Sequence, residues 1–206
     1  MIRVWRIVKS RFAATAFDGE GARRQAGRWN SEGTPVVYTA ATVSLAALEL
    51  LVNADIREMP AGYIVIPVEI PDSVHVESIE LSTLPKNWRD PAPLPARLQR
   101  IGDEWIRSKR TIVLSVPSVV VPMERNYLLN PDHPNFRKLA IGKPEEFEFD
   151  ERLVTKKHQG KPWRAAGVKT DGTIFSLSKR RGTATARFPF GFMVGGTGLE
   201  PATPAL

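Results

Sequence analysis

The chain has no cysteine in 206 residues, which removes disulfides and thiolate metal sites and suits a reducing compartment. Histidine is almost as scarce: His75, His133 and His158 are the only three. They lie far apart and in no HExxH spacing, so a zinc hydrolase has no ligand set to start from and no metal is expected. No run of about 18 apolar residues occurs, so no membrane helix is expected. The opening MIRVWRIVKSRF interleaves charge with apolar side chains and lacks the continuous apolar core of a secretory signal. A cytoplasmic location is the expectation. Phosphate-cradling glycine patterns are missing as well: there is no GxxxxGK[ST], and the GGTG near the C-terminus follows no strand and opens no helix. A hydrolase assembled from Ser118, His133 and Asp132 lacks the GxSxG elbow that presents an activated serine.

The body of the chain also lacks net charge. The formal charge is +7, but the segment from Val154 to Leu206 holds nine basic residues against two acidic ones and so accounts for all of it. Any attraction to a polyanion therefore belongs to that segment. Its composition shifts toward Gly, Pro and basic residues while apolar periodicity fades. The chain reads as one domain over residues 1–153 and a basic, Gly- and Pro-containing extension over 154–206, expected to be largely disordered. A non-catalytic protein that binds nucleic acid through this tail, with Trp163, Phe175, Phe188 and Phe190 available for stacking, is one reading of the excess charge.

What is there is a mixture of short strands and helices without regular βαβ alternation, which favours an α+β fold. Strands are expected over Ile2–Val8, Pro35–Ala40, Gly62–Ile70, within Thr111–Val121, and over Glu145–Phe149. Pro67 should confine the third-named of these regions, Gly62–Ile70, to an edge, a bulge or a break. Helices are expected from Thr42 or Ser44, as cap, through Val52, and amphipathically over Leu94–Arg107.

The most informative stretch is Gly27–Val52, GRWNSEGTPVVYTAATVSLAALELLV. Arg28 precedes a turn-forming run, Tyr38 ends a short strand, and Glu49 is a lone carboxylate among Leu45, Ala46, Ala47, Leu48, Leu50, Leu51 and Val52. Acids are seldom buried without a partner. Glu49 therefore either turns outward, pairs structurally with Arg28, or serves chemistry. Tyr38 is open to a core or a pocket role, and Ser118 to a turn or a ligand-binding one.

The ordered set VWRI, GRWN, VVYTA, LAALELL and VPSVVVPMERNYLLNPDHPNF, spread over Ile2–Leu153, resembles the RES domain, named for its arginine, glutamate and serine. That resemblance implies an ADP-ribosyltransferase-like fold with a split, mainly antiparallel β core flanked by helices. It implies a toxin that depletes NAD by breaking the nicotinamide–ribose bond through hydrolysis or phosphorolysis, or one that transfers ADP-ribose to a protein. NAD is then substrate, and no permanently bound cofactor is expected. Carried over, Arg28, Glu49 and Ser118 take the arginine, glutamate and serine roles, and Tyr38 is the pocket tyrosine. Glu49 would stabilise positive charge developing on the ribose, as carboxylates do in glycoside hydrolysis. Arg28, with Arg6 second, would hold the pyrophosphate. Tyr38 would stack on nicotinamide, and Ser118 would donate to ribose or phosphate or brace Arg28. Asn126, Asn130 and His133 are candidates to line the pocket. The implied partner is an Xre-type helix-turn-helix antitoxin, through which alone nucleic acid would be met, with a homodimer inside the complex as an option.

Overall fold

The computed structural model describes residues 1–53 and 62–154. The expected disorder of the extension concerns residues that lie, all but Val154, outside the described residues. Strand β1 (Ile2–Lys9) is followed by a 3-10 turn over Ser10–Thr15 and a short helix α1 (Glu20–Arg24). Next come β2 (Val37–Ala40), helix α2 (Val43–Asn53) and β3 (Tyr63–Ile70). After β4 (Val76–Ser78) and helix α3 (Ala96–Ser108), strands β5 (Val113–Pro117) and β6 (Arg125–Leu129) form a hairpin. Strands β7 (Ala140–Ile141) and β8 (Glu145–Phe147) and a last turn of helix α4 (Glu151–Val154) complete the set.

The sheet runs β4-β5-β6-β2-β1-β3-β7, with β8 also on β3. All its pairings are antiparallel except β4 with β5. The junction between β1 and β2 is narrow: only Trp5 and Ala40 pair across it, whereas β1 and β3 pair along their whole length from Ile2↔Ile70 to Lys9↔Tyr63. The β core is thus split into two halves that meet at one position. Helix α2 covers the β1–β3 half through Leu45, Ala46 and Leu50 against Ile7, Tyr63 and Val65. Helix α3 covers the β2–β6–β5 half through Leu98, Trp105 and Ile106 against Tyr38, Leu114 and Leu128. The opposite face buries Val4, Val37, Val68, Val113 and Leu129. Each such aliphatic side chain, fully buried, contributes about 1.5–3 kcal/mol.

Two local expectations change. Pro67 lies inside β3, opposite Trp5, and not at an edge. Its carbonyl accepts from Gly142 N, and within a strand the N–H and C=O of one residue point to the same side. The missing N–H therefore faces the side where pairing is divided between β7, at Val68 and Glu69, and β8, at Tyr63–Val65, so no ladder bond is lost. Helix α3 starts at Ala96 and not Leu94, because Pro95 pushes the residue before it out of the helical region. Among the described residues, no helix is long and apolar enough to cross a membrane.

Candidate active site

Helix α2 begins where Thr42 Oγ1 accepts from Leu45 N at 3.0 Å, so Thr42, not Ser44, provides the cap. Its buried residues are Leu45, Ala46, Glu49 and Leu50. Positions 45, 46, 49 and 50 make one face of a 3.6-residue helix, so the carboxylate sits in the apolar stripe and turns inward, 8% exposed.

Two donors meet it there, both on the same oxygen. Ser118 Oγ donates to Glu49 Oε1 at 2.7 Å, and Asn126 Nδ2 donates to it at 2.6 Å. Ser118 is fully buried at the start of the loop from β5 to β6, and its Oγ accepts from Val120 N at 3.1 Å and Val121 N at 3.0 Å. Those bonds spend its lone pairs on the backbone and leave its single proton for the carboxylate. Ser118 therefore holds Glu49; it does not brace Arg28. Asn126 comes from β6, where it is flanked by Ala40 of β2 and Val116 of β5. Charge-assisted bonds of this kind are the stronger class, and they explain how an acid persists in an apolar face without an ion pair.

Arg28 is half-buried, and its Nη1 and Nη2 donate to the carbonyls of Trp88 at 2.6 Å and Asp90 at 3.1 Å. Burial lowers its pKa, while Glu49, Tyr38 and Asp90 act in the other direction. The cation and the Glu49 carboxylate thus feel each other, yet they form no ion pair. Two carbonyls do not exhaust the five N–H groups of a guanidinium.

The turn carrying Arg28 is clamped from two sides. Gln99 Nε2 donates to Gly27 O at 3.0 Å, and Ser31 N donates to Asp103 Oδ1 at 2.9 Å, so one face of α3 reads the turn. Asn30, fully buried, accepts from Gly27 N at 3.1 Å and from Tyr38 OH at 2.7 Å through its Oδ1. Tyr38 OH also accepts from Trp29 N at 3.2 Å. A Cβ on Gly27 would stand 2.6 Å from Asn30 Oδ1 and 2.7 Å from Tyr38 Oη, which is why that position has none.

The ring of Tyr38 lies in the core with Trp29, Trp88 and Leu128, and burial pushes its phenol above the usual range. At 4% exposure it offers no face for stacking; its role is to hold the Arg28 turn. Tyr38→Phe is expected to lower stability by about 1–2 kcal/mol, the worth of a buried hydrogen-bonded hydroxyl. Chemical denaturation of the two proteins measures this, and an unchanged midpoint would remove the assigned role.

Arg6 stands where β1 and β2 part: its Nη1 donates to Tyr38 O at 2.7 Å. Burial lowers its pKa to about 10, opposed by Asp18, so it stays cationic at neutral pH. It lines a cavity of about 300 Å³ with Lys9, Arg24, Val36, Leu50 and Tyr63, a volume at the lower end for small-molecule sites. Glu49, Ser118 and Arg28 do not line that cavity; Leu50 and Arg6 are its links to them. Asn130 does not join the cluster. It lies just past the opposite end of β6 from Asn126, donates to Ile106 O at 3.0 Å and accepts from Asp132 N at 3.0 Å, both structural bonds. His133 lies on another small pocket with His75 and Arg110.

The RES domain family matches residues 3–150. The chain belongs to the RES domain family. It is similar to the protein named Toxin Res of Yersinia enterocolitica, 40% identical over 151 residues, covering 73% of this chain and 98% of that one. The Toxin Res of Photorhabdus laumondii is 36% identical over 155 residues, covering 75% and 98%. The Prs ADP-ribosylating toxin of Sphingobium is 36% identical over 157 residues, covering 74% and 96%. Among solved structures, the M. tuberculosis MbcT–MbcA toxin–antitoxin complex contains a chain that superposes with a TM-score of 0.58 at 17% identity, over 71% of this chain and 84% of that one. That likeness is one of fold, and the RES domain here has the α+β, ADP-ribosyltransferase-like architecture with its split sheet. Within this RES domain Glu49 and Ser118 are bonded directly, while Arg28 is anchored on the carbonyls of Trp88 and Asp90 and makes no ion pair with Glu49. Asn126, Asn30 and the α3 face of Gln99, Gly102 and Asp103 join them as positioning elements.

Proposed function

We propose that this RES domain is a toxin that consumes NAD, breaking the bond between nicotinamide and ribose in the cytoplasm, and that a helix-turn-helix antitoxin of Xre type neutralises it. The observation that carries the reading is Glu49: a buried carboxylate on an apolar helix face, held by two neutral donors on one oxygen and in no ion pair among the described residues. A buried carboxylate without a cationic partner suits a positive charge that moves onto the ribose during reaction.

In the proposed step the C1′–N bond breaks and its electron pair leaves with nicotinamide. Positive charge spreads over C1′ and the ring oxygen, where the free Oε2 of Glu49 stabilises it. Water or phosphate then forms the new C1′–O bond, giving ADP-ribose or its 1-phosphate, with the acceptor's proton released to solvent. Arg28, and Arg6 at the cavity, are the candidates to bind the pyrophosphate. The names of the relatives support a toxin role, and the MbcT–MbcA pair supports an antitoxin partner. Transfer of ADP-ribose to a protein is the second reading, favoured by the name of the Sphingobium relative.

Purified protein incubated with NAD, with and without phosphate, is expected to release free nicotinamide. The sugar product formed with phosphate present separates phosphorolysis from hydrolysis. Labelled protein after incubation of a cell extract with labelled NAD would move the reading to transfer, and no nicotinamide release under any condition would end it.

A further inference from the structure

Among the described residues two buried side-chain polar atoms lack a hydrogen-bond partner, Nε of Arg6 and Oδ1 of Asn126. The second lies on the side chain that holds the carboxylate. Its orientation is determined by chemistry: exchanging the amide oxygen and nitrogen would place two acceptors 2.6 Å apart at Glu49 Oε1, so the donor must face the acid and the acceptor must face away. The backbone gives it little freedom, since β6 is paired on both sides at this position, with Ala40 and with Val116. A buried acceptor without a donor is uncommon and costly. No described residue answers it, and a bound ligand can.

We propose that Asn126 is a specificity-determining residue of this site, with Nδ2 orienting Glu49 and Oδ1 accepting a hydrogen bond from a hydroxyl of the ribose on the nicotinamide side of NAD. The inference rests on the NAD-cleavage reading. A carboxylate placed to stabilise charge at C1′ lies beside the 2′,3′-diol, and the diol supplies the donors nearest that centre. One amide then ties the acid and the sugar to the same rigid strand, so that the carboxylate and C1′ are positioned together. A substrate without that hydroxyl leaves the buried acceptor unanswered, the arrangement by which polar sites discriminate strongly.

The test compares kcat/KM for nicotinamide release from NAD and from two analogues lacking the 2′- or the 3′-hydroxyl of that ribose, using wild type, Asn126→Ala and Asn126→Asp. Intrinsic differences in analogue reactivity cancel between proteins. Asn126→Ala is expected to lose about tenfold or more on NAD and far less on one of the analogues, because only one substrate–residue pair has a bond to lose. The near-isosteric Asn126→Asp keeps an outward acceptor and sets a second carboxyl 2.6 Å from Glu49 Oε1, so the two share one proton and Glu49 no longer holds the full charge. It is expected to lower kcat on all three substrates while discriminating between them as wild type does, and it carries the test should the alanine variant not fold. Equal losses by Asn126→Ala on all three, or discrimination lost in Asn126→Asp, overturns the inference alone, provided release depends on Glu49. Absence of release by wild type, or equal release by Glu49→Gln, removes the NAD reading and this inference with it.

Discussion

Replacing Glu49 by Gln is expected to lower kcat for nicotinamide release by about a thousandfold while KM for NAD moves little. The substitution is nearly isosteric, and the glutamine oxygen can still accept from Ser118 Oγ and Asn126 Nδ2, now 2.7 and 2.6 Å away from Oε1. What changes is the charge. A full charge about 4 Å from a developing cation is worth about 4 kcal/mol at an effective dielectric constant of about 20, which is close to three powers of ten in rate. In the bound substrate the positive charge sits on the nicotinamide ring and moves onto C1′ and the ring oxygen only as the bond breaks, so the larger part of the loss falls on kcat. Steady-state kinetics with purified wild type and variant decide it. A loss below tenfold, or one that falls on KM, would mean that Glu49 is only a buried structural acid. Growth arrest on expression should disappear in parallel if toxicity flows from the same reaction.

The odd acid was legible because a carboxylate with apolar residues three and four positions before it in a helix has to be explained, and α2 does place Glu49 in line with Leu45 and Ala46. Much of the succession of strands and helices was legible from alternation and capping for the same local reason, but β4, β6 and β7 were not among the expected strands. The partners of Glu49 were not. Ser118 is 69 positions away and Asn126 is 77, and no periodicity couples residues at that distance; only the β5–β6 hairpin beside β2 brings them in. Arg28 illustrates the same limit, since its anchors are backbone carbonyls at Trp88 and Asp90, and carbonyls have no signature in a sequence. Tyr38 was readable as a functional or a core aromatic, and burial decides for a core position that works through its hydroxyl. A further signal lies in Gly102, which interrupts the amphipathic pattern of α3, since a glycine inside a helix usually has a packing reason.

That packing reason yields the second large effect, in Gly102→Ala. In an open helix interior the change would stabilise by roughly 1 kcal/mol, because alanine loses less chain entropy on folding. Here a Cβ would stand 1.7 Å from the carbonyl oxygen of Trp29 and 2.8 Å from its carbon. These are backbone atoms of the clamped turn, not the end of a flexible side chain, so either α3 or the turn must move. Overpacking of this sort destabilises by about 1–3 kcal/mol or more, and the sign is expected to reverse: a net loss of about 2 kcal/mol, or about 4–8 °C in Tm for a domain of this size. The helix cannot retreat alone. Gln99 and Asp103 on the same face hold Gly27 O and Ser31 N, so separating α3 from Trp29 carries Arg28 away from Glu49. A misplacement near 1 Å can lower a rate by about a hundredfold, and kcat/KM measured well below Tm should fall accordingly. Gly21→Ala in α1, whose Cβ would meet nothing within 4 Å, is the control and should be neutral or slightly stabilising. If Gly102→Ala proves as stable as wild type and as active, then α3 and the GRWN turn are not in the close contact that sets Arg28, and the coupling of that helix to the site is removed.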